Sequence, residues 1–357
     1  MDFGILIPPV FAPDRLISIA GRSERLGVSS FWYPDEKFFR ECYVGLTLVA
    51  ANTRSMNVGV CVTDPYSRHP IMTAAAIGSV AEVAPGRTWL GLGAGGRGFG
   101  AMGIERKRPA TAIREAVQII RSLTVGESVA FQGKVMSLQE RKLDFRPPPD
   151  IPIMIATGYG HAIQRLAGEI GDAAMLANYA TPESIRPVFQ RVEQGMANAG
   201  GTGSDLRLIS RVDVAVHEDG ELARMAVAPA ILSAIRASYP SLAYLDDLPA
   251  FTLSSRLLDV IRRKDYQTRS RCADPELSGP LIPPALTRQM SIAGTPEEVR
   301  DRIVTILQIG IFDELTIRPV PSGVQSMDDC LERVHEVITP FVNGAKRVDE
   351  KEVNAVR

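Results

Sequence analysis

Apolar residues in this chain fall into short, nearly uninterrupted runs, each stopped by polar or turn-forming residues and followed by a segment with helical spacing. Phe3-Gly4-Ile5-Leu6-Ile7 is stopped by Pro8-Pro9, and Leu16, Ile19, Ala20 and Leu26 then mark one helix face ending at Gly27. Val28 to Tyr33 ends in Pro34-Asp35-Glu36, and residues 43–52 return as helix. Val58 to Val62 ends in Thr63-Asp64-Pro65 and feeds a helix around residues 71–83. Thr88 to Leu92 follows the Pro85-Gly86 turn and runs into glycines 93, 95, 96, 98 and 100. Runs apolar on every position suit strands buried on both faces, as in a parallel sheet covered by helices.

The same rhythm continues. An amphipathic helix spans Ala112 to Leu123, and residues 129–145 read as a hairpin excursion turning at Gly133 and closed by Pro147-Pro148-Pro149. Strand Ile151 to Ala156 ends in Thr157-Gly158-Tyr159-Gly160, helix His161 to about Ile170 follows, and Ala173 to Ala177 is the next strand. Thr181-Pro182-Glu183 opens a helix as N-cap, first-turn proline and acid, and Leu206 to Val216 is a further strand. Residues 221–237 read as helix. Residues 238–290 lose the pattern and carry six prolines; Thr295-Pro296-Glu297-Glu298 restores it, with strand Glu314 to Arg318 and helix Asp328 to about Val342 completing the series. Eight strands alternating with helices predict a closed (β/α)8 barrel, an α/β fold of one domain over residues 1–357, with insertions at 129–145 and 238–290.

Composition narrows the function classes. Lysine and arginine total 40 against 41 acids, so net charge gives no electrostatic case for a nucleic-acid or membrane partner. No apolar run approaches the ~20 residues of a bilayer span, and Asp2 with Pro8-Pro9 argues against a secretory leader. Cys42, Cys61, Cys272 and Cys330 show no metal-ligand spacing, so free thiols in the cytoplasm and no metal are expected.

In such a barrel the chemistry sits at the C-terminal ends of the strands. That rim offers Asp35 and Glu36, an acidic pair suited either to acid/base work or to a solvated helix start. It offers Thr63, Asp64, Arg68 and His69, the histidine being equally a helix cap. The glycines after residue 92 form either a plain tight turn or a place where backbone approaches a flat ring; the loop 157–160 is either a turn or a phosphate cradle at a helix start. No nucleophile elbow or triad can be assembled.

Read together, these segments resemble one family. Val60-Cys61-Val62-Thr63-Asp64-Pro65-Tyr66-Ser67-Arg68-His69-Pro70 resembles the third-strand signature of the luciferase-like flavin-dependent oxidoreductases, above all the branch that includes methylenetetrahydromethanopterin reductase. Phe31-Trp32-Tyr33-Pro34-Asp35, Pro85 to Gly95, Ile153 to Gly160, Ala167-Gly168 with Gly171-Asp172, and Gly294 to Val299 continue the match in order. The resemblance implies a bacterial-luciferase-type barrel holding coenzyme F420, or FMN in other branches, and a homodimer. It places a non-prolyl cis peptide at Cys61-Val62, whose bulge backs the ring, and sets Thr63 and Asp35 at the ring's polar edge. It sets Gly95 and Gly96 close to the cofactor and gives the phosphate to Gly158, Tyr159, Gly160 and His161. Four positions depart from the relatives' patterns. Pro8-Pro9-Val10 replaces a first-strand acid and Asp64 an asparagine, while Glu36 and Gly96 replace a histidine and an acid of the sugar-phosphate dehydrogenases.

The expected activity is hydride transfer between the deazaflavin and a small organic substrate, with Asp35 or Glu36 delivering the proton and residues 238–290 shaping the substrate pocket. The alternatives are an FMN-dependent monooxygenase and a non-catalytic flavin-binding barrel.

Overall fold

The computed structural model describes the chain except residues 97, 159, 201–205, 238–241, 243–244, 249–253, 263–274 and 345–357. Its strands are β1 (Asp2–Leu6), β2 (Ser30–Tyr33), β3 (Asn57–Thr63), β4 (Thr88–Leu92), β5 (Val129–Gln132), β6 (Ser137–Arg141), β7 (Ile153–Ala156), β8 (Ala173–Ala177), β9 (Arg207–Val216), β10 (Ser291–Gly294) and β11 (Glu314–Pro319). Parallel pairing runs β1-β2-β3-β4-β7-β8-β9-β11 and returns to β1, which closes an eight-stranded barrel. The helices α1 (Pro13–Arg25), α2 (Cys42–Ala51), α3 (Pro70–Val83), α4 (Pro109–Thr124), α5 (His161–Ile170), α6 (Pro182–Asn198) and α7 (Gly220–Ala237) alternate with these strands. Helices Pro296–Leu307 and Met327–Gly344 flank the last barrel strand. Among the described residues no helix is long and apolar enough to cross a membrane.

The eight expected strands are the eight barrel strands. The antiparallel hairpin β5–β6 stands where one was expected, held to α4 by the buried carboxylate of Glu115, which accepts the N–H groups of Lys134, Val135 and Met136 at 2.6–3.0 Å. Two details differ from the expectation. Leu26, counted on the buried face of α1, is the C-cap residue and is 38% exposed. β10 was not foreseen: it is four residues long and pairs with the end of β9, from Ser291 opposite Asp213 to Gly294 opposite Val216. Four residues give too few positions for a periodicity to register.

Two packed layers follow from the strands' alternation. Leu208, Val212 and Val214 of β9 face the helices and join the large core between helices and barrel. Ile209 points inward with Leu6, Trp32, Met154 and Met175, against Cys61, Val62, Trp89 and Ala156. Below this plug, at the strands' N-terminal ends, the buried Glu314 carboxylate accepts from Ser30 Oγ (2.9 Å), Trp32 Nε1 (2.8 Å), Thr316 Oγ1 (2.6 Å) and Arg207 Nη2 (3.2 Å). The lower end is therefore a satisfied polar seal, and the open end is the C-terminal rim.

The helices α5 and α6 pack backbone to backbone. A Cβ on Gly168 would stand 2.0 Å from the Val192 carbonyl oxygen, and one on Gly195 would stand 1.9 Å from that of Arg165. Only glycine on both helices lets their backbones touch.

Candidate active site

β3 carries the most irregular backbone of the rim. The Cys61–Val62 peptide is cis, as the resemblance implied, and the register with β4 shifts between Val60 and Thr63. Thr63, fully buried, donates its hydroxyl to Asp35 Oδ2 at 2.7 Å, which ties the end of β3 to the loop after β2. Arg68 Nε reaches the same Oδ2 at 3.4 Å, donates Nη2 to Glu41 Oε1 at 2.7 Å, and lies 4.8 Å from the Tyr43 ring centroid. Asp35 is thus an acceptor for two donors. Glu36, its half-buried neighbour, has no side-chain contact of this kind among the described residues.

The other polar residues after β3 are anchors. Asp64 accepts the N–H groups of Tyr66 (2.9 Å) and Ser67 (2.8 Å), the Ser67 hydroxyl (2.8 Å) and the Lys37 ammonium. His69 Nδ1 accepts the Ile71 N–H at 3.2 Å and caps α3, the plainer of its two possible roles. Lys37, to which no role was given, lies 4.5 Å from the Phe99 ring centroid, and Arg106 stacks on the same ring at 5.3 Å while donating to the Gly95 carbonyl at 3.0 Å. These cations fix the loop after β4.

Glycine lines the next two strand ends. On Gly93 a Cβ would stand 2.8 Å from Val62 Cγ2, so the residue lets β4 pass against the bulge of β3. Among the described residues, a Cβ on Gly96 or Gly160 would meet nothing within 4 Å, and one on Gly158 would first meet Ala177 Cβ at 3.9 Å. The ends of β3, β4 and β7 therefore border open space, which fits a flat ring laid against backbone. Gly160 is the N-cap of α5 at φ +146°, and no side chain caps that helix, so its first turn suits a phosphate. His161 is its first residue. Gln164 Nε2, 3.5 Å from the Thr157 carbonyl, ties the helix to the loop. Tyr159, expected beside the phosphate, and Arg97 lie outside the described residues.

Burial raises the thiols. Cys61 is pushed up to about 12 by burial, against the pull of the Arg211 charge, with Glu314 adding to the rise. Cys42 is raised well above its usual value by burial, with Asp35 and Glu41 adding to the effect. Both stay protonated and neither is a nucleophile at neutral pH.

The luciferase-like monooxygenase family matches residues 1–313. The chain belongs to that family. Among its relatives, the 5,10-methylenetetrahydromethanopterin reductase of Archaeoglobus fulgidus is 30% identical over 325 residues, covering 90% of this chain and 94% of the reductase. The F420-dependent glucose-6-phosphate dehydrogenase of Kineococcus radiotolerans is 32% identical over 228 residues, 58% of this chain and 66% of the dehydrogenase. The solved coenzyme F420-dependent tetrahydromethanopterin reductase of Methanopyrus kandleri superposes with a TM-score of 0.79 at 24% identity, over 96% of this chain and 99% of that one. This last likeness shows that the barrel is the luciferase-like family's fold.

One cluster of this luciferase-like barrel was missed by the sequence reading. Asp213 on β9, 1% exposed, accepts Arg318 Nε and Nη2 at 2.7 and 2.9 Å, Arg211 Nη2 at 2.8 Å and Asn178 Nδ2 at 3.1 Å. Burial works to raise the Asp213 carboxyl, but the charges of Arg211 and Arg318 and the hydrogen bonds outweigh it and lower it. The available signal was two charged residues two positions apart, Arg211 and Asp213, in the middle of a mainly apolar strand. Its partner Arg318 is 105 residues away, so no local pattern shows the pair.

Proposed function

We propose that this protein is an F420-dependent oxidoreductase that moves hydride between the deazaflavin C5 and a small organic substrate. The observation that carries the reading is the open glycine-bordered space at the ends of β3, β4 and β7, with the Thr63–Asp35 hydrogen bond at its edge. The family membership and the F420-dependent relatives supply the cofactor class. When bound, the deazaflavin supplies two-electron hydride chemistry; the protein supplies position and field.

Each residue then has a physical task. Thr63, fully buried, gives its proton to Asp35 and so holds that partly exposed carboxylate at the ring's polar edge. Cys61 and Val62 back the ring at the bulge and Gly96 admits it close to the backbone, whereas the space beside Gly95, expected to do the same, is filled by Phe99, 2.5 Å from where a Cβ would stand. Gly158, Tyr159, Gly160 and His161 take the phosphate, aided by the positive end of α5. Asp35 already holds two donors, so proton delivery falls to Glu36, half-buried on the same loop. The expectation that residues 238–290 shape the substrate pocket falls in part on residues outside those described. A cytoplasmic homodimer belongs to the same reading.

The second reading is an FMN-dependent monooxygenase, favoured by the description of the family itself. Absorbance titration of the purified protein with F420 and, separately, FMN decides between them. Saturable F420 binding is expected. Tight FMN binding without F420 binding refutes the proposal in favour of the monooxygenase, and binding of neither favours a non-catalytic barrel.

A further inference from the structure

Arg211, Asp213 and Arg318 occupy inward-facing positions, since they share the strand parity of Ile209 and Thr316 while their neighbours Val212, Val214 and Ile317 pack outward against the helices. β9 and β11 stand across the barrel from β3 and β4 in the pairing order. Arg211 is level with Ala177, the last residue of β8, and Arg318 is level with Asp213 one step nearer the rim. The three groups therefore form the wall of the mouth opposite the Cys61–Val62 bulge. The Arg211 side chain is 12% exposed and the Arg318 side chain 24%, so both border the mouth from a mostly buried position.

A structural tie between β9 and β11 needs only Arg318, which spans both oxygens of Asp213 in a two-bond fork. Arg211 is a second cation on the same carboxylate. Its Nη1 donates to Asn178 Oδ1 at 2.6 Å and its Nη2 to Asp213, while its Nε, buried, has no hydrogen-bond partner among the described residues. Asn178 is itself fixed, at φ +64° with its N–H on the Arg211 carbonyl at 2.8 Å. A nearly buried guanidinium that shares its counter-charge and retains an unmatched donor is costly as architecture alone. The opposite side of the mouth carries Asp35 and Glu41, both paired with Arg68. Between them the barrel is plugged by the fully buried Trp32, Met154, Met175 and Ile209, against which the half-buried Cys61, Val62 and Ala156 pack.

We infer that Arg211, pre-set by Asp213 and Asn178, is the specificity-determining residue of an anion subsite that takes the carboxylate of an organic acid. This names a substrate class for the proposed oxidoreductase and rests on that reading for the position of the cofactor.

Benzoate, a carboxylate on a flat apolar body, is a suitable probe, and benzamide is its neutral match. Both are titrated calorimetrically into the F420-loaded protein and into the protein without cofactor, for wild type, R211Q and R211K. Benzoate should bind saturably and benzamide at least about tenfold more weakly, the worth of one charge-assisted hydrogen bond. R211Q leaves Asp213 with Arg318 and Asn178, so it should fold, lose benzoate affinity about tenfold or more, and keep F420 affinity within about twofold. R211K should recover part of the loss. Equal binding of benzamide, unchanged benzoate affinity in R211Q, or no saturable benzoate binding to wild type overturns the inference. So does a parallel fall in F420 affinity in R211Q, which would give the arginine to the cofactor. Failure of F420 to bind at all refutes the cofactor reading instead, and leaves the benzoate result readable on the unloaded protein.

Discussion

Replacing Thr63 by valine removes one hydroxyl from a fully buried position and leaves the shape nearly unchanged. In the native protein that hydroxyl donates to a carboxylate oxygen at 2.7 Å, and the other donor to the same oxygen, Arg68 Nε, stands at 3.4 Å. A hydrogen bond to a charged group contributes about 1.5–3 kcal/mol. Because Arg68 can close part of the gap, the lower end applies, about 1.5 kcal/mol. With an unfolding entropy of about 2.1 cal/mol/K per residue over 357 residues, that loss lowers Tm by about 2 °C. F420 affinity should fall further than stability, by about tenfold or more, because the proposed reading sets Asp35, which Thr63 orients, at the ring's polar edge. The pair of measurements is a thermal melt and a fluorescence titration on the same preparation. A T63V protein that melts about 2 °C lower yet binds F420 as wild type does would refute the placement of the ring's polar edge at Thr63. A T63V protein with unchanged Tm would refute the energetic reasoning itself.

Other outcomes follow from the geometry. His335, 5% exposed, has its imidazole pushed down to about 4 by burial, with the Arg22 charge acting in the same direction. A depressed folded value means stability is full above pH 6.5 and is lost as pH falls from 6.5 towards 4, by about 3 kcal/mol; urea melts across that range should show the loss, and H335F should flatten it. G195A places a methyl 1.9 Å from the Arg165 carbonyl oxygen, so the helices must part; a cost of about 2–3 kcal/mol, read as a Tm about 3–4 °C lower, is expected. G160V, at φ +146° and in open space, should weaken F420 binding about tenfold or more through the phosphate contact. Unchanged affinity would put the phosphate elsewhere.

The barrel was legible because its strands are buried on both faces, which writes each one as an apolar run with a stop after it. The family marks lie at those stops, so Thr63, Gly96 and Gly158 could be placed at the rim from sequence. β10 was not legible, since Ser291-Ile292-Ala293-Gly294 is too short to show a period and completes its pairing on β9, far back in the chain. The polar wall of the mouth was hidden for a related reason: Arg211, Asp213 and Arg318 acquire meaning only once β9 and β11 are paired. Lys37 and Arg106 read as ordinary surface cations, and only the folded loop brings both onto the Phe99 ring. Residue spacing thus predicted what lies within one βα unit and missed what forms between units.

Hydrogen–deuterium exchange with and without F420 tests the placement of the cofactor most directly. F420 should slow exchange at Thr63, at residues 93–96 and in the first turn of α5, residues 160–163, while the amides of β5 and β6 exchange as before. Protection confined to other elements, or none at saturating F420, would contradict the account.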